Sequence, residues 1–298
     1  MRIAVLGAGA VGCYYGAMLA RAGHAVTLIG RAPLVEAVRA HGLRLESANF
    51  DGVIALQAST EASAAADAEL VLCCVKSGDT EAAGTALAPW LPPQAEVLSL
   101  QNGVDNAARL SQVLHRPVIP TVVYVATEMA GPAHVRHHGR GELVLGEAPA
   151  SAGLAALLAQ AGVPTEVSAH VSDALWAKLV INCCYNALSA ISQQPYGLLV
   201  QAPGVMETMR TAFDECAAVA AAEAIALPDT LWEATCDIAR NMAGQRSSTA
   251  QDLARGRPSE IDHLNGTVVR LGRRHGIATP VNHALWSLVK LLEATPRR

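Results

Sequence analysis

Charge is scarce in this 298-residue chain: Asp, Glu, Lys and Arg make up 16% of it, and the formal net charge is −4. With a pI near 6.2, it lacks the basic balance that holds a phosphate backbone, which argues against a general nucleic-acid binder. No uninterrupted apolar run reaches the ~20 residues of a membrane span. Residues 3–20 come closest, but only Arg2 precedes them and glycines interrupt their middle, so neither a span nor a signal peptide is expected. The seven cysteines are odd in number, show no C-x-x-C spacing and lie mostly in apolar stretches. They read as packing thiols in a reducing compartment. The ten histidines lack an H-E-x-x-H pattern, so no metal site is expected. His137-His138, in a glycine-rich stretch, reads as exposed, and no internal repeat is present. These absences predict a soluble, cytoplasmic protein with no membrane or nucleic-acid partner.

What is abundant is apolar: 51% of residues are hydrophobic, enough for a core in each of the two domains that the length suggests. Residues 1–30 organise the chain. An apolar strand at 3–6 leads into Gly7, Gly9 and Gly12 at G-x-G-x-x-G spacing, then a helical pattern over 11–21 and a second apolar strand at 25–29. That is a βαβ unit with a glycine-rich first turn. In such a turn the first glycine permits the bend, the second lets backbone approach a pyrophosphate, and the third lets helix and sheet pack closely. The loop Gly7-Ala8-Gly9-Ala10-Val11-Gly12 is therefore expected to bind a dinucleotide at a helix N-terminus. At the end of the second strand, where NAD-binding folds place an acid for the ribose hydroxyl, the chain reads Ile29-Gly30-Arg31, with no acid until Glu36. Arg31 suits a 2′-phosphate, which favours NADP.

Further on, a short helix is expected at 34–41, small strands at 43–45 and 53–56, and a central strand at 70–75 ending in Lys76-Ser77,. A helix at 79–88 and a strand at 96–100 ending in Gln101-Asn102-Gly103 follow. A strand at 118–125 then leads into turns at Gly131-Pro132 and Gly139–Gly141 and a strand at 142–145. Alternating strands and helices predict an α/β fold with a Rossmann-type doubly wound sheet over 1–167. From about 168 the pattern is helical, at 173–188, 204–226, 231–243, 259–275 and 281–294, with prolines between. An all-helical domain is thus expected over 168–298.

The helix at 173–188 is apolar nearly all round, apart from Lys178, Asn182 and Asn186. Spacings of four put these three on one slowly drifting stripe. Asparagines are poor helix formers whose amides need partners, so a stripe facing a polar cleft competes with a merely solvated one. Ser259 and Asp262 read as an N-cap pair opening a helix, with Glu260 favoured by the dipole of its first turn.

The combination resembles the ketopantoate reductase (2-dehydropantoate 2-reductase) family over nearly the whole chain. The matching residues are the loop Gly7–Gly12, Lys76, Gln101-Asn102-Gly103 and Leu175-Trp176-Ala-Lys178-Leu-Val-Ile-Asn182. They continue through Ser247-Ser248 with Gln251-Asp252, Arg257-Pro258-Ser-Glu260-Ile-Asp262 and Asn265-Gly266. The resemblance implies a helical domain like the C-terminal one of 6-phosphogluconate dehydrogenase. It also implies NADPH-dependent reduction of 2-dehydropantoate to (R)-pantoate on the route to pantothenate and coenzyme A. Lys178 matches the family's general acid. Asn182, Asn186 and Ser248 match substrate ligands, and Asn102 matches a residue touching cofactor and substrate. Glu260 matches one near the nicotinamide, and Arg31 and Lys76 match cofactor contacts. A cleft between domains is the expected site. Asp105, Gln245-Arg246, Tyr196 and Thr249-Ala250 depart from the family pattern, and Tyr196 and Arg246 are expected to shape the pocket. The departures leave room for a reductase of another branched 2-oxo acid. A non-catalytic NADP-binding sensor is the alternative from another class. The sequence allows a homodimer without specifying one.

Overall fold

The computed structural model describes residues 1–295; residues 296–298, counted in the expected second domain, lie outside the described residues. Contacts divide the chain into two compact units, Met1–Val171 and Ser172–Arg298, where the sequence pattern suggested a change at 167/168.

The first unit opens with β1 (Arg2–Leu6), α1 (Ala10–Arg21), β2 (Ala25–Ile29) and α2 (Ala32–His41). It continues with β3 (Leu43–Ser47), β4 (Phe50–Ile54), β5 (Gln57–Ser59), β6 (Leu70–Cys73) and α3 (Thr80–Leu87). Then come β7 (Glu96–Ser99), α4 (Asn106–Leu114), β8 (Ile119–Gly131), β9 (His134–Gly146), α5 (Ser151–Gln160) and β10 (Thr165–Ser168). The sheet runs β4-β3-β9-β8-β7-β6-β1-β2-β5, with β10 beside β9. From β8 to β5 every pairing is parallel. In chain order, those six strands fall in the 3-2-1-4-5-6 arrangement of a dinucleotide-binding doubly wound sheet. The continuous apolar runs explain why these strands are central. Ile3 and Val5 pack with Leu70 and Leu72 on one face, while Ala4 and Leu6 pack with Val71 and Cys73 on the other. A parallel sheet covered on both faces needs both sets.

Beyond β8 the sheet is mixed, and β8 and β9 form an antiparallel hairpin longer than the sequence suggested. Gly131-Pro132 forms its turn, but Gly139–Gly141 does not form a second one. It lies inside β9, where the register with β8 shifts between Tyr124/Val125 and between Ala126/Thr127. Gly139, Arg140 and Gly141 have φ of 150°, 61° and 138°, so this is a bulge that bends the strand. The tyrosines of α1 pack against it. The Tyr15 hydroxyl donates to the Gly141 carbonyl at 3.3 Å, and a Cβ on Gly141 would sit 2.7 Å from the Tyr14 hydroxyl. His137 stacks on Tyr14 with centroids 4.4 Å apart and is half-buried, correcting the expectation of exposure; His138 is exposed.

The second unit consists of α6 (Val171–Ser192), α7 (Tyr196–Leu199), α8 (Val205–Ala222), α9 (Leu231–Asn241), α10 (Ser248–Ala254), α11 (Asn265–His275) and α12 (Pro280–Ala294). α6 has the length and mean hydropathy of a membrane span, yet it is mostly buried as the core helix of this unit. The continuous helix expected at 259–275 breaks at Leu264 (φ −110°, ψ −106°). It divides into a single 3₁₀ turn, Ile261–His263, and α11. Ser259 therefore caps no α-helix: its Oγ accepts from the Ile261 N–H at 3.2 Å and donates to Glu293 at 2.6 Å. The α12 N-terminus is held from outside. Glu215 of α8 accepts from the Val281 N–H (2.8 Å) and the Asn282 N–H (2.9 Å), satisfying donors that a helix start leaves unpaired.

Candidate functional site

In the first unit, the expected cofactor residues lie along one edge, at the carboxyl ends of neighbouring strands. Asn102 follows β7, Lys76 follows β6, the glycine loop follows β1 and Arg31 follows β2. Since β7, β6, β1 and β2 are adjacent, these groups are laid out in that order across three strand spacings, about 14 Å. This is the edge at which open α/β sheets bind ligands, beside the point where strand order reverses.

The glycine loop is built for close approach. Gly7 has φ of 102°, and a Cβ there would lie 2.5 Å from the Val75 nitrogen. A Cβ on Gly12 would lie 2.3 Å from the Gly7 carbonyl oxygen. Gly9 is different: its backbone is extended (φ −83°, ψ −167°), a conformation any residue adopts, and a Cβ would meet nothing within 4 Å. Open space therefore lies over the start of α1. The first intrahelical bond there runs from the Cys13 N–H to the Gly9 carbonyl at 2.8 Å, so the N–H groups of Ala10, Val11 and Gly12 sit in the helix's first turn. This cradle fits a pyrophosphate. A testable contrast follows. Gly12→Ala should cost about 2–3 kcal/mol by overpacking, read as a lower unfolding midpoint in denaturant. Gly9→Ala should leave that midpoint nearly unchanged and weaken dinucleotide binding about tenfold or more.

Gly30 brings the end of β2 against this loop, because a Cβ on it would lie 2.7 Å from that of Ala8. Arg31, exposed and next in sequence, is thereby placed beside the loop. The nearby thiols offer no nucleophile: burial pushes Cys13 and Cys73 up to about 12 and raises Cys74 well above its ordinary value,.

Sequence reading missed the network that shapes the other half of this edge. Gln101, buried, donates from Nε2 to the Thr80 hydroxyl (2.7 Å) and the Val75 carbonyl (3.2 Å). Thr80 donates to Asn106 Oδ1 (3.0 Å). Asn106 Nδ2 donates to the Asn102 carbonyl (2.6 Å), which also accepts from Ser77 Oγ (2.7 Å). Arg109 closes the network from Nη2 to the Ser77 carbonyl (2.9 Å) and to Glu81 (2.6 Å). The loops bearing Lys76 and Asn102 are thus fastened to each other. Gln101 and Ser77, beside residues already singled out, were the available signal.

In the second unit, Lys178, Asn182 and Asn186 fall along one stripe of α6, half-buried, half-buried and buried. Among the described residues, the side-chain amides of Asn182 and Asn186 hydrogen-bond to no protein group. Asn186 is only 3% exposed, so its amide has little water to bond instead. The start of α10 is tied to the same stretch. Ser247 caps α10 by accepting from the Ala250 N–H (3.0 Å), and its hydroxyl donates to the Asn186 carbonyl (3.1 Å). This sets Ser248, exposed, and Thr249, whose buried hydroxyl is unpartnered among the described residues, one and two residues beyond the Ser247–Asn186 bond. Glu260 is buried, and its neighbour Ile261 packs in one apolar cluster with Ala187, Ala190 and Ala250. Tyr196, expected to shape a pocket, instead fills core space, its ring 4.7 Å from that of Tyr185 and its hydroxyl's pKa raised by burial. Arg246 is exposed. Among the described residues, no three His, Cys, Asp or Glu side chains are grouped to hold a metal ion.

Comparison with known proteins bears on both units. Residues 3–150 match the family model described as ketopantoate reductase PanE/ApbA, and residues 170–293 match its C-terminal counterpart. A 2-dehydropantoate 2-reductase of Halobacterium salinarum is 36% identical over 303 aligned positions, covering 98% of this chain and 99% of the relative. The crystal structure of a PanE/ApbA family ketopantoate reductase from Ralstonia eutropha JMP134 superposes with a TM-score of 0.96 at 58% identity, covering 98% of each chain. A ternary structure of D-mandelate dehydrogenase with NADH and anilino(oxo)acetate superposes with a TM-score of 0.92 at 26% identity, again over 98% of each chain. A Rossmann-type sheet, a helical second unit and matches across both place this chain in the ketopantoate reductase family of oxidoreductases.

Proposed function

We propose that this protein reduces 2-dehydropantoate to (R)-pantoate with NADPH, in the cytoplasm, as a step toward pantothenate and coenzyme A. The observation carrying this reading is the pair of unpartnered amides, Asn182 and Asn186, on the α6 stripe that bears Lys178. Such groups await a polar ligand, and a 2-oxo acid supplies carbonyl and carboxylate oxygens for them.

The loop Gly7–Gly12 holds the pyrophosphate, Arg31 the 2′-phosphate, and Lys76 and Asn102 the stretch toward the nicotinamide, with Glu260 assigned near that end. Bound NADPH supplies the hydride. As the substrate carbonyl carbon accepts it, negative charge grows on the keto oxygen. The Lys178 ammonium stabilises that charge and then donates its proton, completing the 2-hydroxy acid. Asn182 and Asn186 orient the substrate, and Ser248 bonds its carboxylate.

A second reading, reduction of another 2-oxo acid, is favoured by the likeness to D-mandelate dehydrogenase and by the departures at Thr249-Ala250 and Arg246. Deuterium tracing tests the reaction itself. With NADPH deuterated at the transferring position and 2-dehydropantoate, the product should carry one deuterium at C2. An undeuterated product, or none, would contradict the assignment.

A further inference from the structure

The helix bearing the polar stripe is held by four consecutive residues, each tied to a different element. The Cys183 carbonyl accepts from Asn265 Nδ2 at the start of α11 (3.1 Å). The Cys184 thiol donates to the Met209 carbonyl of α8 (3.6 Å). The Tyr185 hydroxyl donates to the Thr235 carbonyl of α9 (2.8 Å). The Asn186 carbonyl accepts from Ser247, the cap of α10 (3.1 Å). Successive residues of a helix are rotated by about 100°, so these ties surround α6. Apolar packing is non-directional, and a helix this apolar gains little rotational definition from it. The collar supplies that definition, and it spans the turn joining Asn182 to Asn186.

Asn265 is its least replaceable member. It is fully buried, and its Nδ2 is shared between the Cys183 carbonyl and Asn282 Oδ1 (2.9 Å). Asn282 is in turn fixed by Nδ2 bonds to Glu215 (2.8 Å) and the Ala212 carbonyl (3.0 Å). Among the described residues, Asn265 Oδ1 has no partner. A buried oxygen without a donor lowers stability, so stability alone is a poor account of an asparagine here. We propose that Asn265 is a positioning residue: through the chain Glu215–Asn282–Asn265 it fixes the rotation of α6 so that Asn182 and Asn186 present their amides to the substrate. The proposal rests on the reading of those amides as substrate ligands.

Asn265→Ala, Tyr185→Phe and Asn182→Ala test it, with kcat, keto-acid KM, NADPH affinity and Tm measured for each. Asn265→Ala should raise KM for 2-dehydropantoate about tenfold with NADPH affinity within about twofold of wild type. Tyr185→Phe, which removes another tie of the collar, should raise KM about threefold. A merely structural role would lower Tm and the active fraction, hence apparent kcat, without moving KM. An unchanged KM in folded Asn265→Ala overturns the proposal. Should that variant not fold, an unchanged KM in Tyr185→Phe does so. If Asn182→Ala also leaves KM unchanged, the amide stripe is not the substrate site, and the inference falls with the reading it rests on.

Discussion

Lys178→Ala is expected to lower kcat by about 10²-fold or more while NADPH affinity stays within about twofold of wild type. Hydride arriving at a carbonyl carbon leaves an alkoxide, a base far too strong to release unprotonated. On α6 the ammonium of Lys178 shares a stripe with Asn182 and Asn186, so the proposed substrate ligands and the proposed proton donor are carried by one helix. On the proposed role, removing the ammonium deletes both charge stabilisation and proton delivery, interactions that strengthen only as the transition state forms, so kcat should fall rather than KM rise. Lys178→Arg separates the two contributions. Its guanidinium keeps the charge but holds its protons too tightly to serve as a general acid, so turnover should lie between wild type and Lys178→Ala. Rapid single-turnover measurements with bound NADPH check both variants. Near-normal turnover in Lys178→Ala would remove the lysine from the chemistry.

The second large effect concerns cofactor choice. Arg31→Ala should weaken NADPH binding about tenfold or more and leave NADH binding within about twofold. A charge-assisted bond to phosphate contributes about 1.5–3 kcal/mol, and the exposure of Arg31 puts its share near the lower end. Gly30 abuts Ala8 of the pyrophosphate loop, which sets residue 31 at the ribose end of a dinucleotide lying along this edge, where an acid would otherwise select NAD. The related D-mandelate dehydrogenase structure contains NADH. Titrations of NADPH and NADH by fluorescence, on wild type and variant, distinguish the cases. Equal losses for both cofactors would assign Arg31 a general role and remove the 2′-phosphate argument.

How much of this was legible from residues alone depended on whether the information was local. The first βαβ unit was, because three glycines at fixed spacing lie between an apolar run and a helical pattern. The α6 stripe was as well, since a spacing of four translates directly into one face of a helix. The network of Gln101, Thr80, Asn106 and Arg109 was not. Gln101 meets Val75, 26 residues away, only because β6 and β7 are adjacent in the sheet, and nothing in either segment specifies that neighbour. Gly139–Gly141 was misread because clustered glycines serve a turn and a bulge equally well; the tyrosines of α1 packed against them decide for the bulge. The helix expected at 259–275 carries a suitable pattern, yet Leu264 leaves helical geometry and divides it. α10, seven residues long, is too short for periodicity to reveal.

For selective NADPH-dependent reduction of 2-dehydropantoate, the comparison to make first is kcat/KM for 2-dehydropantoate, 2-oxoisovalerate and phenylglyoxylate, by loss of NADPH absorbance. Rapid turnover of 2-dehydropantoate is expected, favoured over the other two by about 10²-fold. NADPH binding with no turnover of any of them, or a preference for phenylglyoxylate, would contradict it.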